Sequence, residues 1–87
     1  MSDNRPFICS AGNVDVPSYL VLCAMGYTVS AGAPSGAPVW YAENEQRRCG
    51  ADSLVELLGL VCMLEARGND WQATDSEIDT FLHSFPP

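Results

Sequence analysis

The chain has 87 residues, 47% of them hydrophobic, with eleven acidic side chains against four arginines, no lysine, and a formal net charge of −7. That length makes one domain, and the apolar content is too high for general disorder. The acidity argues against nucleic acid and anionic membrane surfaces, whose phosphates need cationic contacts, and suits either simple solubility or a basic partner protein.

Residues 1–6 are polar and read as a loose start. The segment MSDNRPFIC has no basic region followed by a sustained apolar one, so no secretory signal is expected and a cytoplasmic location is. Phe7-Ile8-Cys9 reads as an edge strand or a packed arm, and Gly12 marks a turn. Asp15 caps a short predicted helix with Pro17 in its first turn, Tyr19, Leu22 and Cys23 along one face, and Gly26 as terminator. Tyr19–Cys23 also has strand-forming composition, and the cap and stop signals favour helix over it.

Tyr27–Ser30 alternates as a strand does. The following Ser30–Pro38, SAGAPSGAP, has only small side chains and must be a loop. Val39–Glu43 is the best strand pattern in the chain, with Trp40 and Ala42 on one face. Asn44-Glu45 reads as a tight turn, and Gln46–Cys49 as the returning strand, with Arg47 and Cys49 on one face and Arg48 on the other.

Asp52–Gly68 is the spine. Leu54, Leu57, Leu58, Val61 and Leu64 form one helical stripe, widened by Val55, Leu60 and Cys62. Ser53 with Glu56 reads as a capping box, and Arg67-Gly68 as the stop. Gly59 inside this helix costs roughly 1 kcal/mol against alanine; close approach of another backbone is one reason to keep it. Asn69–Gln72 then connects to a second capping box, Thr74 and Glu77, and a short helix with Ile78, Phe81, Leu82 and Phe85 at i, i+3, i+4 and i+7, closed by Pro86-Pro87. The expectation is an α+β domain: a short N-terminal helix, a three-stranded, mostly antiparallel sheet, the central helix across one face, and the C-terminal helix covering the central helix's remaining apolar side.

The chemistry-bearing residues are sparse. Cys9, Cys23, Cys49 and Cys62 show no C-x-x-C pair, and the lone His83 lies near the end, so neither a metal nor any other cofactor is expected. The cysteines read as reduced, buried thiols. Cys49 follows two arginines, which favour a thiolate, but no histidine lies near it in sequence. SAGAPSGAP lacks the Gly-Lys-Ser/Thr of a phosphate loop. Glu43 and Glu45 flank the hairpin turn, Asp75 and Asp79 stand four apart on the last helix, and Trp71 follows Asp70. Trp71 either staples the last helix to the body or anchors a partner.

The residues Trp40-Tyr41-Ala42-Glu43, Arg47-Arg48, Ala51-Asp52, Leu57-Leu58-Gly59-Leu60, Glu65-x-Arg67-Gly68 and Asp70-Trp71 resemble those of small acidic bacterial α+β proteins of the toxin-immunity and inhibitor type. The resemblance covers about residues 27–82, has no diagnostic motif, and departs at SAGAPSGAP. It implies a module that occludes a partner protein and has no chemistry of its own. The expected partner-binding residues are Glu43, Glu45, Asp70, Trp71, Asp75 and Asp79. A self-associating subunit is the second expectation, and a thiol enzyme using Cys49 the third.

Overall fold

The computed structural model describes residues 3–10, 12–32 and 39–87. Along the chain come α1 (Asp15–Ala24), β1 (Thr28–Ala31), β2 (Trp40–Glu43), β3 (Arg48–Ala51), α2 (Leu54–Arg67), a 3-10 turn (Gly68–Asp70) and α3 (Asp75–Ser84). This is the expected α+β architecture. Most of the SAGAPSGAP loop, residues 33–38, lies outside the described residues.

Helix α1 starts differently from the sequence reading. Its N-cap is Val14, with no side-chain cap, and Asp15 stands inside the first turn. There its charge faces the positive end of the helix dipole. The Ser18 hydroxyl donates to the Val14 carbonyl at 2.7 Å, which lets a hydroxyl be buried at little cost. The stop is as expected. Gly26 takes φ 92°, its N–H bonds the Cys23 carbonyl, and the Tyr27 N–H bonds the Leu22 carbonyl. That pair of bonds is a Schellman ending, and it drops Tyr27 directly into the core.

The sheet is antiparallel in the order β1-β2-β3. Glu43 pairs with Arg48, so four residues, Asn44–Arg47, make the hairpin loop. The Asn44 side-chain oxygen accepts from the N–H groups of Gln46 and Arg47, both at 2.9 Å, and the Asn44 N–H donates to the Arg47 carbonyl. This side-chain turn occupies Gln46 and Arg47, so β3 begins two residues later than the predicted Gln46–Cys49 strand. The predicted faces hold: Ala42 and Cys49 turn inward, and Arg48 lies outside with its guanidinium 5.0 Å from the Tyr41 ring centre.

Helix α2 lies across that inner face. Leu57 and Val61 are fully buried and pack with Leu22, Tyr27, Ala42, Cys49 and Leu54. Ser53 caps the helix by accepting from the Glu56 N–H at 3.1 Å, and Gly68 ends it at φ 74°. Only half of the predicted capping box forms here; the complete box is at Thr74 and Glu77.

Two expectations fail on packing. Tyr19 and Cys23 do not face inward with Leu22; α1 turns only Ser18 and Leu22 to the core. Helix α3 does not cover α2. It has no buried residue: Ile78, Phe81, Leu82 and Phe85 remain 43%, 58%, 46% and 66% exposed, and Met63 on α2 stays uncovered. The radius of gyration, 16.2 Å, exceeds the ~12 Å of a compact chain of this length.

Candidate functional site

The charges organise the surface. Each of the four arginines pairs with one acid: Arg5 with Asp3, Arg47 with Glu65, Arg48 with Glu43, and Arg67 with Glu77. Seven carboxylates are left without an ion-pair partner among the described residues: Asp15, Glu45, Asp52, Glu56, Asp70, Asp75 and Asp79. All seven are exposed. The net charge therefore stands on groups that no cation of the chain compensates. Asp15, Glu56 and Asp75 sit in first helical turns, where the backbone dipole stabilises them. Glu45, Asp70 and Asp79 have no such local account.

Four of the six expected partner-binding residues, Glu45, Asp70, Asp75 and Asp79, belong to this uncompensated set. Glu43 does not; its carboxylate lies 3.9 Å from the Arg48 guanidinium, with both side chains largely exposed. Such a surface pair is weak and easily exchanged. Glu43 and Glu45 line a shallow concavity at the hairpin end with Gly26, Thr28, Asn44 and Gln46. Trp71 is half-buried and lies elsewhere. With Ala51, Gly59, Leu60 and Met63 it lines an open trough along α2 beside β3, with Asp52 and Glu56 among its other lining residues. The six expected residues are thus spread over the hairpin end, the trough and α3.

Under the sheet lies a polar group of residues that the sequence did not announce. The Tyr27 hydroxyl donates to Glu65 Oε1 at 2.8 Å, and Arg47 Nη1 approaches the same oxygen at 3.5 Å. Arg47 Nη1 is buried and makes no hydrogen bond, so its link to Glu65 is a charge contact only. Burial first, then the bond to Glu65, pushes the Tyr27 hydroxyl pKa up. The residues come from the turn after α1, the hairpin and α2. They tie three elements together.

The thiols also sort differently from expectation. All four are free, but only Cys49 is buried; Cys9, Cys23 and Cys62 are exposed. Burial pushes the Cys49 pKa up, and the nearby Arg47 offsets this only in part. The two arginines that suggested an activated thiolate thus do not produce one: Arg48 faces outward and Arg47 is engaged by Glu65. The imidazole of His83 lies on α3, against the Asp79 carbonyl at 3.1 Å. Among the described residues, no group of three or more histidine, cysteine, aspartate or glutamate side chains could hold a metal ion. Among them, too, no helix is long and apolar enough to cross a membrane.

Helix α3 is the most developed surface feature. Thr74 and Glu77 exchange side-chain and backbone bonds, and Glu77 also accepts from Arg67 at 2.9 and 3.1 Å. The Thr74 N–H and then the Arg67 guanidinium hold the Glu77 carboxyl below its ordinary range. At about 100° per residue, the apolar stripe of Ile78, Phe81, Leu82 and Phe85 is flanked by Asp75 and Asp79 on one side and Glu77 on the other.

No protein-family model, curated protein or solved structure matches the chain.

Proposed function

We propose that the chain is a protein-binding module that occludes or regulates a basic partner, in the manner of immunity proteins and inhibitors, and carries no chemistry of its own. The carrying observation is the fate of the four arginines: each is held by one acid, and Asp15, Glu45, Asp52, Glu56, Asp70, Asp75 and Asp79 are presented uncompensated to solvent. Such a surface speeds encounter with a cationic protein and repels phosphate. The hairpin-end acids Glu43 and Glu45 and the α3 acids Asp75 and Asp79 are the contact residues, with Asp70 and Trp71 on the connection between α2 and α3. The likeness of residues 27–82 to small acidic inhibitors supports the same reading.

The test is affinity capture from the native host with the wild-type chain and with Glu45, Asp70, Asp75 and Asp79 changed to their amides. The wild type should recover one protein stoichiometrically, with affinity falling as salt rises. Neutralisation should weaken binding by at least about tenfold, through slower association. Binding that ignores both salt and neutralisation removes the electrostatic mechanism.

A further inference from the structure

The chain exposes 6936 Å², roughly 1,900 Å² more than the about 5,000 Å² expected of a compact monomer of 9.4 kDa. A stable interface takes about 800 Å² from each partner. Some of the surplus is the arm of residues 3–10, where Phe7 is 91% and Ile8 84% exposed, and two further parts lie on the folded body. One part is the α3 stripe of Ile78, Phe81, Leu82 and Phe85. Another is the trough on α2, with Ala51, Gly59, Leu60, Met63 and Trp71 exposed or half-buried along it. These are a ridge and a groove, and within one chain they do not meet. The bidentate Arg67–Glu77 contact ties the first turn of α3 to the last turn of α2, and α3 stands off from its own trough.

We propose that a second copy of this chain supplies the missing cover: α3 of each protomer lies in the α2 trough of the other, making a two-fold dimer. The anchor spacing on α3 is that of a helix laid into an apolar groove. Gly59 lines the groove, and an added Cβ there would meet nothing within 4 Å. That open space lets a foreign helix approach the α2 backbone closely. The assembly closes, and does not grow into a filament, because in the proposed dimer both reciprocal contacts form between the same two chains about a two-fold axis.

Charge decides the conditions. Two chains of −7 repel, and Asp52 and Glu56 at the trough face Asp75 and Asp79 on the incoming helix. At physiological salt the screening length is about 8 Å, so this repulsion is short-ranged and added salt strengthens the dimer. A complex with a basic partner behaves in the opposite way. The two proposals share Trp71 and helix α3 but rest on different chemistry, apolar burial for self-association and uncompensated acids for the partner, so their opposite salt dependence tells the failure of one from the failure of the other.

The experiment is light scattering on the eluting full-length chain, from roughly 1 to 100 µM, at low and high salt. Wild type should show twice the 9.4 kDa chain mass, with the dimer favoured by salt. Phe81→Asp with Leu82→Asp should weaken association at least about 100-fold. These positions are exposed in the monomer, so circular dichroism should report an unchanged body. Gly59→Leu should also give monomers while leaving the fold at least as stable, because the side chain fills the trough and improves the helix. A wild-type monomer at every concentration overturns the proposal. So does a dimer that survives the α3 substitutions, or one that survives Gly59→Leu. A mass above the dimer overturns the closed two-fold arrangement.

Discussion

Helices α2 and α3 carry the same grammar and meet opposite fates. Each has apolar residues at i, i+3, i+4 and i+7, each starts on a hydroxyl cap, and each has an acid in its first turn. Yet Leu57 and Val61 of α2 are wholly buried, and no residue of α3 is. Amphipathic spacing states that a helix has a face to cover. It does not state what covers it.

The sharpest way to break this contrast is to cut one residue of each stripe back to alanine. Leu57→Ala should cost about 3 kcal/mol, transfer and cavity together. In a domain of this size that is most of the stability, and urea unfolding should show it as a large drop in midpoint. Phe81→Ala, removing more carbon, should stay within about 0.5 kcal/mol when measured at concentrations too low for self-association. Equal losses at the two positions would mean that α3 packs on the body in solution.

Thiol reactivity maps the same boundary. Cys9, Cys23 and Cys62 should alkylate quickly in the folded protein near pH 8, and Cys49 at least about 100-fold more slowly, through opening of the core. Mass spectrometry of the partly labelled chain reads this directly. Fast labelling of Cys49 would favour the reading of Cys49 as a nucleophile.

The body is held by one polar link that α3 lacks, and Tyr27→Phe tests it. Removing the hydroxyl leaves Glu65 with only the Arg47 charge contact, and the loss should be about 1 kcal/mol. Gly59→Ala should act in the opposite direction by a similar amount, about 1 kcal/mol more stable, because nothing crowds the new methyl. Thermal melts at low protein concentration separate the two.

What could be read from the residues follows how local the cause was. The ends of α2 rest on Ser53 and Gly68, and both are visible in a five-residue window. The inward faces of the strands follow from alternation. The start of β3 was misplaced because Asn44 extends the turn through its own side chain, and a run such as Gln46–Cys49 does not show which residues the turn will take. The face of α1 was not readable, since nearly every residue from Val16 to Ala24 is apolar, and only packing against α2 selects Ser18 and Leu22. The Tyr27–Glu65 bond spans 38 residues and has no local signature. Of the site, the acids were readable as acids. Which of them the arginines neutralise was not, and that pairing is what separates Glu43 from Glu45, Asp70, Asp75 and Asp79.

The smallest effect is confined to the outlying helix. Glu77 is held below its ordinary value of 4.5 by the Thr74 N–H and by Arg67. A depressed acid stabilises the fold above its unfolded value and loses that contribution as pH falls through the folded one. Below about pH 4.5, therefore, α3 should lose its first turn while α2 keeps its structure, because the cap belongs to α3 and α2 contributes only Arg67, from its last turn. Amide chemical shifts of residues 75–84 against those of 54–67 give the comparison. Glu77→Gln preserves an acceptor for the Thr74 N–H and removes the charge seen by Arg67. It should abolish the acid step without unravelling α3 at neutral pH. If α2 and α3 lose order together in acid, the two helices form one cooperative unit, and the division between a covered and an uncovered helix fails.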